Sequence, residues 1–255
     1  MNHGSAHPVF DDNPDIYDAL VDWPRRLGRE ESFYRWMFER FAVRRVLDTA
    51  CGTGHHAAMF ASWGLEVEGA DNSAAMIEQC RRRWSESDAL RWQVRSFEQP
   101  SDSPGMFDAA LCVGNSLALA ADKRLAERAI AALLAATRSG GVCLIHVLNL
   151  PRLVEGPTLW QKCRRMHIGG KDFLLLKGLH RAGSSGFIDF VRLDLEGDGV
   201  NAQYGTATLI GLTAEELSDW ANLHGGQEIE LFGNYARDPY NPASSEDLIL
   251  LCRRK

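Results

Sequence analysis

Val46-Leu47-Asp48-Thr49-Ala50-Cys51-Gly52-Thr53-Gly54 is an apolar run that ends in an acid and passes through two glycines into His55-His56-Ala57-Ala58. Strand, glycine turn and helix follow one another there, and the glycines have a physical reason. A side chain at the turn would block close approach of a ligand to the backbone, while the first turn of the helix offers unpaired N–H groups. The bare spacing Gly52-x-Gly54-x-x-Ala57 also fits a dinucleotide site, so the turn alone leaves the ligand open. A second acid closes the next apolar run: in Glu68-Gly69-Ala70-Asp71 the aspartate stands 17 positions beyond Gly54. A carboxylate at that place can accept hydrogen bonds from both hydroxyls of a ribose.

The alternation of strand and helix continues on both sides of the turn. Strands are predicted over 45–48, 65–70, 89–95 and 107–113, with helices over 55–63 and 73–84 between them. A helix over 122–138, opened by Asp122 as N-cap and stopped by Gly140-Gly141, leads to the near-continuous apolar strand 142–147. Such a pattern predicts an α/β fold, a doubly wound, mostly parallel seven-stranded sheet. Before it, a mobile tip gives way to helices over 15–20 and 30–41, where Phe33, Met37 and Phe41 recur at helical spacing, and these form an N-terminal helical cap. After it the texture changes. Runs over 171–180, 187–195 and 203–210, separated by Gly and Ser turns, predict an antiparallel β insertion added to the core as a lid. Thr213-Ala214-Glu215-Glu216 has capping-box spacing for a helix over 215–223, ended by Gly225-Gly226 and followed by strands 228–232 and 247–252. The expected organisation is one domain: cap 1–43, core 44–150, lid 151–211, and last helix and strands 212–255.

Composition narrows the function. The chain has 255 residues, 45% hydrophobic and 24% charged, enough for a sizeable core. A formal net charge of -6 and a pI near 5.8 provide no general attraction to nucleic acid or to an anionic membrane surface, so a small-molecule partner is expected. Six cysteines are scattered without a Cys-x-x-Cys pair, no run reaches the length of a membrane span, and the polar residues 1–7 lack a signal-peptide pattern. Reduced thiols and a cytoplasmic location are expected. His55 and His56 point in different directions on a helix and have no acid or cysteine at ligand spacing, so no metal is expected. Arg81-Arg82-Arg83 stands at a helix end, where cations suit the dipole and a solvated face is the expected role.

With the glycine turn, Gly69-Ala70-Asp71-Asn72-Ser73-Ala74-Ala75-Met76 and Phe107-Asp108-Ala109-Ala110-Leu111-Cys112-Val113-Gly114-Asn115-Ser116 on the page, the chain resembles the class I S-adenosylmethionine-dependent methyltransferases. Within them it resembles the glycine and sarcosine N-methyltransferase group, from about Tyr17 onward. The resemblance implies S-adenosyl-L-methionine as cofactor and S-adenosyl-L-homocysteine as product. It implies that Asp48, Ala50, Gly52 and Gly54 hold the methionine half, that Asp71 binds the ribose, and that Asn72 and Met76 flank the adenine. Ser96 and Phe97 would contact the adenine edge and face, although many relatives have an acid where Ser96 stands. Val113 belongs to the same cofactor-binding set, and Arg26 matches a family arginine that pairs with the cofactor's carboxylate.

The resemblance breaks on the acceptor side. An arginine that binds the amino acid carboxylate in the glycine-specific members is matched here by Leu148, and tyrosines that close that site are matched by Ala19 and Leu195. A hydrophobe cannot neutralise a carboxylate, which disfavours free glycine. The activated methyl donor requires little from the enzyme beyond alignment and exclusion of water. Strand ends select Asn115 and Ser116 after the fourth strand and His146 and Asn149 around the end of the fifth. Asn115 could orient the acceptor or cap its loop. His146 could take a proton or be a satisfied core residue. In the lid, Trp160 to Arg165 brings Lys162, Arg164 and Arg165 together, suited to an acidic substrate group. The expected activity is methyl transfer to a small molecule, at an amine nitrogen rather than at oxygen. The rivals are a small-molecule O-methyltransferase, an NAD-type oxidoreductase and a non-catalytic cofactor-binding protein.

Overall fold

The computed structural model describes residues 14–195 and 201–255; the expected mobile tip lies outside the described residues. Two helices come first, α1 (Pro14–Leu20) and α2 (Trp23–Arg40). The sequence reading began α2 at residue 30. It starts earlier because Asp22 accepts the Arg25 N–H and Pro24 occupies the first turn, where a missing N–H costs nothing. Then β1 (Arg45–Asp48), α3 (His55–Ser62), β2 (Glu66–Asp71), α4 (Ala74–Arg83), β3 (Leu90–Val94) and β4 (Phe107–Cys112) alternate as expected.

α5 (Lys123–Ala136) is opened by the Asp122 side chain, which accepts the Leu125 N–H at 2.7 Å, and passes directly into β5 (Thr137–Leu148). Gly140-Gly141 is therefore not a helix stop but part of the strand. Gly140 has φ +74°, and a Cβ on Gly141 would stand 2.7 Å from the Asp108 carbonyl, so the pair serves the irregular pairing where the register shifts between Phe107 and Ala109.

The seven-stranded sheet is completed by β10 (Gly226–Phe232) and β11 (Asp247–Arg254), in the order β10-β11-β5-β4-β1-β2-β3. β1 to β5 are mutually parallel, and β11 is antiparallel to both its neighbours. Helices cover both faces, so adjacent strand residues enter different cores. Leu47, Ala110 and Ile145 face the side of α5 and of α6 (Ala214–Leu223), while Val46, Ala109 and Leu144 face Phe33, Phe60 and Trp92. The capping box of α6 is formed, with reciprocal bonds between Thr213 and Glu216. The chain reverses direction across the sheet at β1, which lies between β2 and β4, and this opens a crevice beyond the carboxyl ends of those strands.

The lid is an antiparallel insertion as expected, but it has four strands in place of three, β6 (Leu159–Ile168), β7 (Lys171–Ala182), β8 (Ser185–Asp194) and β9 (Asn201–Ile210), which form a sheet of their own. Phe173, Leu175, Phe190 and Ala207 from this sheet pack against Ile16, Ala19 and Leu20 of α1. Among the described residues no helix is long and apolar enough to cross a membrane.

Candidate active site and cofactor cleft

The turn after β1 is built with almost no room for side chains. Gly52 and Gly54 have φ of +54° and +82°, in the left-handed region that glycine occupies at little cost. A Cβ on Gly54 would stand 2.6 Å from the Trp92 ring, and one on Gly52 would meet the Tyr17 ring at 3.5 Å. Trp92 thus supports the turn from below, and Tyr17 of α1 lies over it. Asp71 ties the turn to β2: its two carboxylate oxygens accept the N–H groups of Gly52 at 2.9 Å and of Ser73 at 3.0 Å. Each oxygen has a second lone-pair direction, the chemistry needed to receive two vicinal hydroxyls.

Asp48 is 1% exposed, and its Oδ2 has no hydrogen-bond partner among the described residues. Burial pushes its carboxyl up to about 7, opposed by the weak bond from the Ala50 N–H. An orphaned buried carboxylate beside a glycine turn is a ready counterpart for a cationic ligand.

α1 and α2 close this crevice. Asp18 receives hydrogen bonds from Trp23 Nε1 (2.9 Å), from Thr53 and from Arg83, while Trp23 stacks on His55. Burial opposes the charge on Asp18, but its bonds to His55, Thr53, Arg83 and Trp23 outweigh it and hold the carboxyl at about 2. Arg83 is therefore a clamp to α1 and not merely a solvated cation. One turn into α2, Arg26 Nε bonds Glu30 at 3.0 Å, and Glu30 also meets His56 at 2.8 Å. Burial pushes the Glu30 carboxyl up, yet His56 and Arg26 bring it down to about 2. The Arg26 guanidinium covers Gly114, where a Cβ would stand 2.9 Å from Nη2.

Beyond Arg26 lies a pocket of about 330 Å³, bounded by Tyr17 and Leu20 of α1, the turn after β4, the end of β5 and the lid strands. Asn115, His146 and Leu148 line it. Asn115 has φ +70° and is 9% exposed; its Oδ1 accepts the Leu148 N–H at 2.9 Å, so the amide nitrogen is its free end, a donor with no hydrogen bond among the described residues. His146 does not fit the proton-acceptor role. Its Nδ1 accepts the Gly114 N–H at 3.2 Å, so in the neutral ring the proton sits on Nε2, which lies 3.1 Å from Asp247 Oδ1 and makes no hydrogen bond among the described residues. Asn149 does not fit a substrate role either. Buried at 2% exposure, it donates to the carbonyls of Pro242 and Ser245 and accepts from the Tyr240 hydroxyl, holding the segment before β11. Ser116 Oγ donates to the Val113 carbonyl at 2.9 Å.

A family model described as a methyltransferase domain matches residues 46–141, the span from the glycine turn to the start of the apolar part of β5. The chain is 28% identical over 239 residues to a glycine/sarcosine N-methyltransferase of Parasynechococcus marenigrum (strain WH8102), covering 91% of this chain and 80% of that one. Several other curated glycine or glycine/sarcosine N-methyltransferases align over about half of their own length. This chain is an S-adenosylmethionine-dependent methyltransferase with the class I fold. The fold is shared with the sugar N-methyltransferase KedS8 from Streptoalloteichus sp ATCC 53650 (22% identity, TM-score 0.76, 94% of this chain and 91% of that one). It is shared also with S-adenosylmethionine-bound CalS10, an amino pentose methyltransferase from Micromonospora echinaspora (20%, TM-score 0.73, 94% and 97%).

The residues of this methyltransferase fit the cofactor on its own geometry: a bare turn, the Asp71 carboxylate tied to it at the end of β2, a buried acid with one oxygen unpaired among the described residues, and an arginine beside Gly114. Met76 and Val113 are buried, Asn72 is exposed, and Phe97 is half-buried against the core. Ser96 Oγ bonds Glu98, so an acid stands next to the position where many relatives have one. Sequence reasoning missed Tyr17, Glu30 and Lys177 of the methyltransferase. Tyr17 and Glu30 had no signal of their own: Tyr17 is placed by its packing over Gly52, and Glu30, although an i,i+4 partner of Arg26, is tied to the site by the distant His56. Lys177 had one: it interrupts the alternating apolar positions Phe173, Leu175 and Leu179 of β7.

Proposed function

We propose that this methyltransferase methylates an amine nitrogen of a small molecule bound in the pocket beyond Arg26. The observation that carries the reading is that pocket: at about 330 Å³ it has the volume of a small metabolite, and it adjoins the glycine turn through Tyr17, Arg26 and Gly114. The carboxylates of Glu30 and Asp247 line it and suit the N–H groups of an amine, and the 28% identical relative is named for an N-methyl transfer. In the same reading Asp48, Ala50, Gly52 and Gly54 hold the methionine half of S-adenosyl-L-methionine, Arg26 its carboxylate and Asp71 the ribose. Asn72, Met76, Ser96, Phe97 and Val113 surround the adenine.

When bound, the cofactor supplies an activated methyl group on a sulfonium. What this chain contributes is position and dryness. Tyr17 and the clamp around Asp18 cover the turn, and the apolar side chains of Leu119, Leu148, Ile188 and Phe190 keep water from the acceptor. The Asn115 amide nitrogen orients an oxygen of the acceptor, and Asp247 receives an amine N–H. The test is transfer of labelled methyl from S-adenosylmethionine to a panel of primary and secondary amines and matching alcohols, read by mass spectrometry. Label on nitrogen is the expected result. Label on oxygen alone, or none on any acceptor while the cofactor binds, would overturn the reading.

A further inference from the structure

Two lysines face each other across the lid. Lys162 of β6 pairs directly with Lys177 of β7 in an antiparallel register, next to a bulge that falls between Trp160 and Lys162. Like charges directly opposite one another on a sheet are destabilising, and bulges near sites re-aim side chains. Both lysines line the pocket. Lys162 is partly accounted for, because it donates to the Leu20 carbonyl at the C-terminal end of α1, where a cation suits the dipole. Lys177 is not. It stands on the inward face of β7 between buried Leu175 and Leu179, opposite Phe190 of β8, with no hydrogen bond or ion pair among the described residues.

The pocket's own acids do not answer this charge: Glu30 is bound by Arg26 and His56, and Asp247 faces His146. The Asn115 amide nitrogen, which lines the same pocket as Lys177 and has no hydrogen bond among the described residues, is likewise a donor. A group that satisfies donors and cations together is an anion with acceptor oxygens.

From this juxtaposition we infer that the methyl acceptor carries an anionic group, a carboxylate or phosphate, and that Lys177, with Lys162 beside it, is the specificity-determining residue that binds it. The inference rests on the reading of the pocket as the acceptor site. Burial first, then the charges of Lys162 and Arg26, bring the Lys177 ammonium down to about 8, and an anion in the pocket would reverse that effect.

Calorimetric titration of the S-adenosylhomocysteine complex with matched pairs tests the inference: 4-aminobutyrate against 4-aminobutanamide, and 2-aminoethyl phosphate against ethanolamine. At least one anionic member is expected to bind about tenfold or more tightly than its neutral partner, and the pair that shows it identifies the anion. Lys177→Met should abolish the preference and Lys177→Arg should keep it. Neither should change the affinity for S-adenosylhomocysteine, and Lys177→Met should melt no lower than the natural protein because it removes a like-charge pair. Equal binding within both pairs, a preference that survives Lys177→Met, or binding of no member would overturn the inference. So would a fall in S-adenosylhomocysteine affinity, which would assign Lys177 to the cofactor. The methyltransferase reading fails separately, through loss of cofactor binding in the natural protein.

Discussion

The glycine turn and the lid sheet both border the site, but they are specified by different physics. At the turn the determinants are backbone conformation and the groups packed tightly on it: left-handed glycines, a tryptophan that fills the space of the missing side chain at Gly54, and a carboxylate that takes two backbone N–H groups. In the lid the backbone is ordinary antiparallel ladder, and what matters is which residue faces inward at each alternate position. On the proposed reading, the first region fixes the chemistry of the cofactor and resists change, whereas the second can exchange side chains on an intact frame and so set the acceptor.

The sharpest way to break this contrast is at Gly54. Gly54→Val would put a β-branched residue at φ +82° and drive its Cβ into Trp92; a stability loss of about 5 kcal/mol is expected in urea denaturation. A loss below ~1 kcal/mol would mean that the turn is not the rigid part.

Asp48 provides a pH test. Its folded pKa of about 7 stands above the ordinary 3.8, so the unfolded chain releases that proton first. Its contribution is fully present below about pH 4, is lost as pH rises to 7, and is constant above, about 4 kcal/mol in all on the linkage relation. The stability difference between the natural protein and Asp48→Asn should follow that window, and a difference independent of pH would refute the burial argument. A cationic ligand should bind more tightly as pH rises through 7, with proton release visible in buffers of different ionisation enthalpy.

Asp71→Asn keeps one acceptor and removes the charge. S-adenosylhomocysteine affinity should fall about 30-fold, near 2 kcal/mol, by calorimetry, and an unchanged affinity would remove Asp71 from the ribose. The smallest effect belongs to the lid: Ile188→Ala should shift which acceptors are methylated while altering cofactor affinity by less than ~0.5 kcal/mol. A larger cofactor effect would join the two regions that the comparison separates.

The same division governs what could be read from sequence. The β1 strand, the Asp122 cap and the Thr213 capping box have the expected residues because each is settled within a few positions of chain. The start of α2 was hidden because Pro24 reads as a breaker until Asp22 is seen capping it. Strand β6 was hidden because its cations mask the alternation, and its partner β7 supplies the reason for it to be a strand. Asn149 and His146 looked like site residues at the end of a strand. Their partners, Tyr240 and Asp247, lie some hundred positions away and commit them to the fold. Lys177 was legible as a break in the apolar alternation of β7, but its meaning needed the register to Lys162 and the absence of a counter-charge among the described residues, neither of which is local.

The central claim is that the turn between β1 and α3 holds an adenosyl sulfonium and not a dinucleotide. Titration of the unmodified protein with S-adenosylhomocysteine and, separately, with NAD tests it most directly. Saturable one-site binding of the first and no heat with the second is the predicted result; binding of NAD in preference, or no binding of S-adenosylhomocysteine, would contradict it.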